Sequence, residues 1–230
     1  LVTTLESCYN LFGVLENGYY VFMSMSTLYV LDPEAGESTT FTMTPSDNIE
    51  MQISGNSVYV MEDGSSGDDF YKINIDDINN IGESSVFELP SGYHFENAMA
   101  VYEDTVLFQT RNPDDNNTIK LYKKEGDNQA EEIYTGGYNA TLLALYDGRI
   151  FNLNQGNNQG GAQELIDGEW TEQIIYLANG GELIQGNWQY TQYYNGTLYG
   201  WFDSWNNSVN EIFSINLATG QLGTIPYNLQ

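Results

Sequence analysis

Carboxylates are the abundant reactive side chains of this sequence: 32 Asp and Glu stand against six Lys and Arg in 230 residues, a net charge of −26. Two carboxyl groups roughly 5–9 Å apart are what glycoside hydrolysis requires, one to protonate the leaving oxygen and one to act as base or nucleophile. Asp47, Glu50 and Glu96 are the candidates, because each falls where a repeated strand begins. Carboxylates also bind calcium, which takes about six to eight hard oxygen ligands. Weak candidates are Asp63, Asp68 and Asp69 in one acidic loop and Asp114 and Asp115 in another, neither with the D-x-D-x-D-G spacing. Other chemistries lack their residues. His94 is the only histidine, which leaves no His-based zinc cluster, and no G-x-S-x-G elbow accompanies it. It is expected to be a turn residue. Cys8 is alone, so no disulfide forms within the chain. No cofactor is expected, calcium apart. The acidic balance excludes nucleic acid and attraction to an anionic membrane surface, and no apolar run reaches the ~18 residues of a membrane span.

The elements that would position these residues are short strands. Alternating runs rich in Tyr, Val, Ile and Phe recur between Gly, Asn and Asp, while helix-period patterns are nearly absent. The hairpin Leu28-Tyr29-Val30-Leu31-Asp32-Pro33-Glu34-Ala35-Gly36-Glu37 is echoed by Ile212-Phe213-Ser214-Ile215-Asn216-Leu217-Ala218-Thr219-Gly220-Gln221. Asp32 or Asn216 can hold the backbone two residues on, and Gly36 or Gly220 supplies the positive φ that returns the chain. The two glycines are 184 residues apart, four intervals of 46. A second landmark, a tight turn before a strand, recurs at Gly18, Asn56, Asp104, Gly148 and Gly196. Five units follow, at about 5–45, 46–92, 93–136, 137–184 and 185–230, each read as strands A, B, C and D. Units of this length with four strands predict an all-β fold, a single β-propeller domain of five four-stranded blades with a period of about 46 residues.

The Tyr-x-Leu-Asp-x-x-x-Gly-Glu hairpin ending at Glu37 and the Phe-x-Ile-Asn-x-x-Thr-Gly-Gln hairpin ending at Gln221 resemble those of bacterial and archaeal extracellular propellers with quinoprotein-type or YWTD/TolB-like repeats. The resemblance is architectural. Units 2 to 4 depart from it at Asp76-Asp77, at Lys123-Lys124-Glu125-Gly126 and at Asp167-Gly168, and no quinone-binding set is present. It implies that the B–C and D–A loops share one face, around a channel lined by strand A. On that face Asp47, Glu50, Glu96, Asn139 and Trp188 form an expected polar pocket with Trp188 as stacking platform, and Trp205 in a B–C loop is a candidate exposed contact.

Few lysines, abundant Tyr, Asn, Gly, Ser and Thr, and Asn-x-Ser/Thr sequons at Asn116, Asn139, Asn195 and Asn206 point to an extracellular or cell-surface glycoprotein. The expected function is non-enzymatic: a recognition or structural module that binds protein or glycan through its loop face. The alternatives are a glycan-active hydrolase using the channel carboxylates, and a self-assembling subunit of a surface filament or layer. Catalysis is expected to be absent because acidic residues are so common, and because Asp47, Glu50 and Glu96 lie on neighbouring units rather than facing across a substrate.

Overall fold

The computed structural model describes residues 10–24, 26–43, 48–63, 68–115, 118–137, 143–154, 161–171, 174–175, 186–194, 197–204, 210–216 and 221–225. Among these residues there is no helix, and the strands form five antiparallel sheets. Sheet 1 holds β1 (Asn10–Val14), β2 (Tyr20–Ser24), β3 (Thr27–Asp32) and β4 (Glu37–Thr42). Sheet 2 holds β5 (Asn48–Ser54), β6 (Ser57–Asp63), β7 (Asp69–Asn74) and β8 (Gly82–Phe87). Sheet 3 holds β9 (His94–Tyr102), β10 (Thr105–Asn112), β11 (Thr118–Glu125) and β12 (Glu131–Gly136). Sheet 4 holds β13 (Leu143–Tyr146), β14 (Arg149–Asn154), β15 (Gly161–Ile166), β16 (Glu169–Trp170) and β17 (Ile174–Ile175). Sheet 5 holds β18 (Gly186–Tyr194), β19 (Thr197–Ser204), β20 (Asn210–Asn216) and β21 (Gln221–Ile225). The chain divides into two compact units, Leu1–Glu132 and Ile133–Gln230.

The recurring tight turns occupy equivalent places. Ser54 pairs with Ser57, Tyr102 with Thr105 and Tyr146 with Arg149, so Asn56, Asp104 and Gly148 each stand second in a two-residue connection between the first two strands of a sheet; Gly196 lies outside the described residues. Gly18 lies in the longer β1–β2 connection, where Val14 pairs with Tyr20. These turns need left-handed backbone: Asp147 and Gly148 have φ of 49° and 72°, the pair of positive values that matches hairpin twist. The β3–β4 hairpin closes as its sequence requires. Asp32 Oδ1 accepts from the Glu34 and Ala35 amides at 2.8 and 3.0 Å, and Gly36 turns the chain at φ 69°.

In the first unit, sheet 2 is buried on both faces. Along β6, Val58 and Val60 join an aliphatic cluster with Val21, Leu28 and Val30 of sheet 1, while Tyr59 and Met61 join an aromatic cluster with Phe95 and Phe108 of sheet 3. Alternation with period two, both phases apolar, is what a strand covered on both sides must show. Gly13 on β1 permits close approach: a Cβ there would lie 2.6 Å from Ile53 Cδ1.

The fourth sheet departs from four strands. Asp167-Gly168 makes a tight hairpin with Ile166 opposite Glu169, and the Thr171 amide then bonds the Glu164 carbonyl at 2.9 Å. The outer strand is thereby split, and both β16 and β17 pair with β15. Within this second unit Arg149 holds Glu164 through two nitrogens at 2.7 and 2.8 Å, which keeps that carboxyl below its usual range.

Candidate functional site

The chemistry gathers between sheets 2 and 3. Strand β9 pairs with β10 on one side only, so alternate main-chain groups of β9 point away from its own sheet and need partners. Strand β5 supplies them through its polar phase. Glu50 Oε1 accepts from the Met99 amide at 3.1 Å. Gln52 donates to the Met99 carbonyl at 2.6 Å and accepts from the Val101 amide at 2.8 Å. Ser54 donates to the Glu103 carbonyl at 2.8 Å. These bonds form a side-chain ladder from one sheet to the backbone of the next.

Glu50 is chemically distinct within this ladder. Its Oε2 is shut away from solvent and has no hydrogen-bond partner among the described residues. Burial pushes the carboxyl up to about 7, with the Met99 amide opposing the shift. Removing a carboxylate from water disfavours its charged form, so Glu50 exchanges its proton near neutrality.

Charged partners stand at the same end of the two sheets. Glu96 on β9 is bound at Oε1 by Arg111 Nε of β10 at 2.5 Å, and its side chain is 14% exposed. His94, two residues before Glu96 and directly opposite Arg111, meets Asp68 Oδ2 through Nδ1 at 3.1 Å. Strand alternation sends His94 and Glu96 to the same side of β9. The rim therefore holds an imidazole, a guanidinium and two carboxylates.

The expected site residues separate. Glu50 and Glu96 lie on adjacent first strands, as expected, but Glu50 turns sideways into the interface between sheets. Asp47, Asn139 and Trp205 lie outside the described residues, as do the sequon asparagines Asn116, Asn195 and Asn206. Trp188 is the third residue of β18, opposite Phe202. Asp63 ends β6 opposite Asn48, and Asp69 begins β7. Asp114 and Asp115 are exposed in a turn capped by Asn112 Oδ1, which accepts the Asp114 amide at 3.0 Å. Among the described residues no three His, Cys, Asp or Glu groups converge as metal ligands. His94 corrects the sequence reading. It begins a strand rather than sitting in a turn, and it pairs with Asp68 from 26 residues earlier. Arg111 was not singled out either; its only sequence signal is scarcity, as one of six cations in an acidic chain.

No family model matches this sequence, and no curated protein matches it. Solved structures do match in fold. The oligogalacturonate lyase of Vibrio parahaemolyticus superposes with a TM-score of 0.63 at 11% identity, over 94% of this chain and 66% of the lyase. An oligogalacturonate lyase in complex with manganese gives 0.63 at 10% identity, over 94% and 65%. A nidogen/laminin complex gives 0.54 at 12% identity, over 90% and 74%. The chain thus spans just under two thirds of the length of the lyases it matches. At these identities the likeness shows the fold, which is all-β and β-propeller-like. It also corrects the expectation of a non-enzymatic chain. Two of these folds are enzymes, so the architecture gives no ground for setting catalysis aside, and commonness of acidic residues does not explain a carboxyl held as Glu50 is. Manganese is a property of that lyase structure; among the described residues of this chain no group of three or more candidate metal ligands is present.

Proposed function

We propose that this chain is a single propeller domain of five blades, extracellular or on the cell surface, that engages carbohydrate at the loop-end rim of sheets 2 and 3. In this reading Glu50 is the proton-exchanging acid. Glu96, held by Arg111, is the companion carboxylate, and His94 with Asp68 forms the outer edge that meets sugar hydroxyls. The observation that carries it is Glu50: one oxygen on a backbone amide, the other buried and without a partner among the described residues, and a carboxyl pushed up to about 7. A general acid works best with its pKa near the working pH. The lyases among the similar folds support chemistry on a glycan. A net charge of −26 favours a neutral glycan over a polyanionic one, which the chain as a whole would repel.

The test is a screen against arabinan, xylan and fructan, scoring binding and release of reducing ends together. Glu50→Gln is expected to lower turnover about 100-fold or more while sugar binding persists, and Arg111→Ala is expected to weaken binding. Turnover by Glu50→Gln equal to that of the unaltered chain would remove Glu50 from the chemistry. Absence of both binding and turnover across the panel would remove the glycan reading. The nidogen/laminin match favours a second reading, a protein ligand at the same rim. Capture of such a partner would be insensitive to Glu50→Gln and sensitive to Arg111→Ala.

A further inference from the structure

At the opposite end of the same two sheets, where the tight turns 55–56 and 103–104 emerge, two open grooves meet. Their volumes are about 480 and 470 Å³, and both are lined by Tyr59, Lys72 and Asp104. Each falls within the ~300–1,000 Å³ range of small-molecule sites. Lys72 forms the waist between them. Its ammonium lies 5.5 Å from the centroid of the buried Tyr59 ring. Among the described residues it has no carboxylate in salt-bridge contact, whereas Arg111, Lys120, Lys123 and Arg149 each have one. In a chain with this excess of carboxylates, an ammonium half-buried on a ring and left without direct ion pairing is unusual.

We propose that this turn-end groove is a second ligand site and that it takes a neutral oligosaccharide. The lining narrows the chemistry by elimination. Asp76 and Asp104 both act electrostatically on the Lys72–Tyr59 pair and its surroundings, and further carboxylates stand around the two lobes, so a polyanion is repelled. Lys72 and Lys124 oppose a polycation. The walls are mostly polar, which gives a greasy ligand little to cover. What remains is a ligand whose every polar group both donates and accepts. Sugar hydroxyls do this, and the groove interleaves donors with acceptors to suit them. Asp76 is already fixed for such a role: its two oxygens accept from Asn56 Nδ2 at 3.0 Å and Asn74 Nδ2 at 2.7 Å, which orients both amides and lowers its carboxyl below the usual range. Ser84 and Ser85 add exposed hydroxyls in the second lobe. The site is independent of Glu50, since it lies at the other end of β5 and β6.

The experiment is calorimetry and saturation-transfer NMR on the full chain with neutral xylo-, arabino-, gluco- and fructo-oligosaccharides, and with an oligogalacturonate as the acidic comparator. A neutral oligosaccharide is expected to bind, and the acidic one is not. Lys72→Ala and Asp104→Ala should each weaken that binding about tenfold or more, the size expected when a charge-assisted hydrogen bond is lost. Ser84→Trp tests the same space by filling an exposed position without removing a charge, and should also block it. Loss in Lys72→Ala but not in Arg111→Ala assigns the binding to the turn end. The reverse pattern, an unchanged affinity in all three groove variants, tighter binding of the acidic oligomer, or no sugar bound at millimolar concentration would each overturn the proposal.

Discussion

The two faces of sheet 2 are both buried, and they are built differently. Toward sheet 1 the contact is aliphatic, with Val58, Val60, Ile73 and Ile75 packed on Val21, Leu28 and Val30. Its one acidic group, Glu62, is 2% exposed, and Tyr71 donates its hydroxyl to Glu62 Oε1 at 2.5 Å. Burial raises the Glu62 carboxyl and also the Tyr71 hydroxyl, and the charges of Asp69 and Glu83 push both in the same direction. Toward sheet 3 the contact is aromatic, with Phe70, Phe87, Phe95, Phe108 and Tyr122 meeting at centroid distances of 4.7 to 6.5 Å. Its acidic group, Glu50, has one oxygen without a partner among the described residues. One face encloses its carboxyl in a side-chain bond, and the other holds its carboxyl on a backbone amide. The difference teaches that burial alone does not mark a reactive acid. On the reading proposed above, what sets Glu50 apart is burial without a side-chain partner among the described residues.

The contrast can be broken most severely at the aromatic face. Phe108 is fully buried and packs on Phe70, Phe87 and Tyr122. Phe108→Ala is expected to cost about 3–5 kcal/mol, measured by denaturant unfolding. A loss below about 1 kcal/mol would mean that sheets 2 and 3 are not packed as described. On the aliphatic face, Tyr71→Phe strips Glu62 of its donor and should cost about 1–3 kcal/mol. An unchanged midpoint would show that Glu62 finds another partner at no cost.

The pH response separates the two carboxyls more finely. The folded Glu50 carboxyl stands at about 7, above its ordinary value of 4.5. Its stabilising contribution is therefore complete below pH ~4.5 and is lost as pH rises through ~7. Compared with Glu50→Gln, the unaltered chain should lose on the order of 2 kcal/mol more between pH 5 and pH 8. Parallel loss in both proteins would contradict this. Smallest of all is the surface pair of Lys120 and Glu132 at 2.8 Å. Lys120→Ala should change stability by less than about 1 kcal/mol, and a larger effect would show that this ion pair shares in the fold's main support.

Strands and turns were legible in the sequence because their causes are local. Asp32 and Gly36 specify a hairpin by their own chemistry, and the recurring two-residue turns set strand boundaries directly. The functional direction of β5 was less so. Asn48-Ile49-Glu50-Met51-Gln52-Ile53-Ser54 alternates cleanly, which suggests a solvent face for its polar phase. That phase instead meets the backbone of β9, about 49 residues on, and nothing local encodes the meeting. His94 with Asp68 and Arg111 with Glu96 are likewise products of strand register. The split outer strand of sheet 4 is signalled by Asp167-Gly168, which in the sequence reads only as a departure from the repeat.

Titration of the Glu50 side-chain carboxyl by carbon-detected NMR tests the central claim most directly, with Glu50→Gln to assign the signal. An inflection near pH 7 is predicted. An inflection near 4.5 would mean that water reaches both oxygens, and the acid proposed for the rim would be an ordinary surface carboxylate.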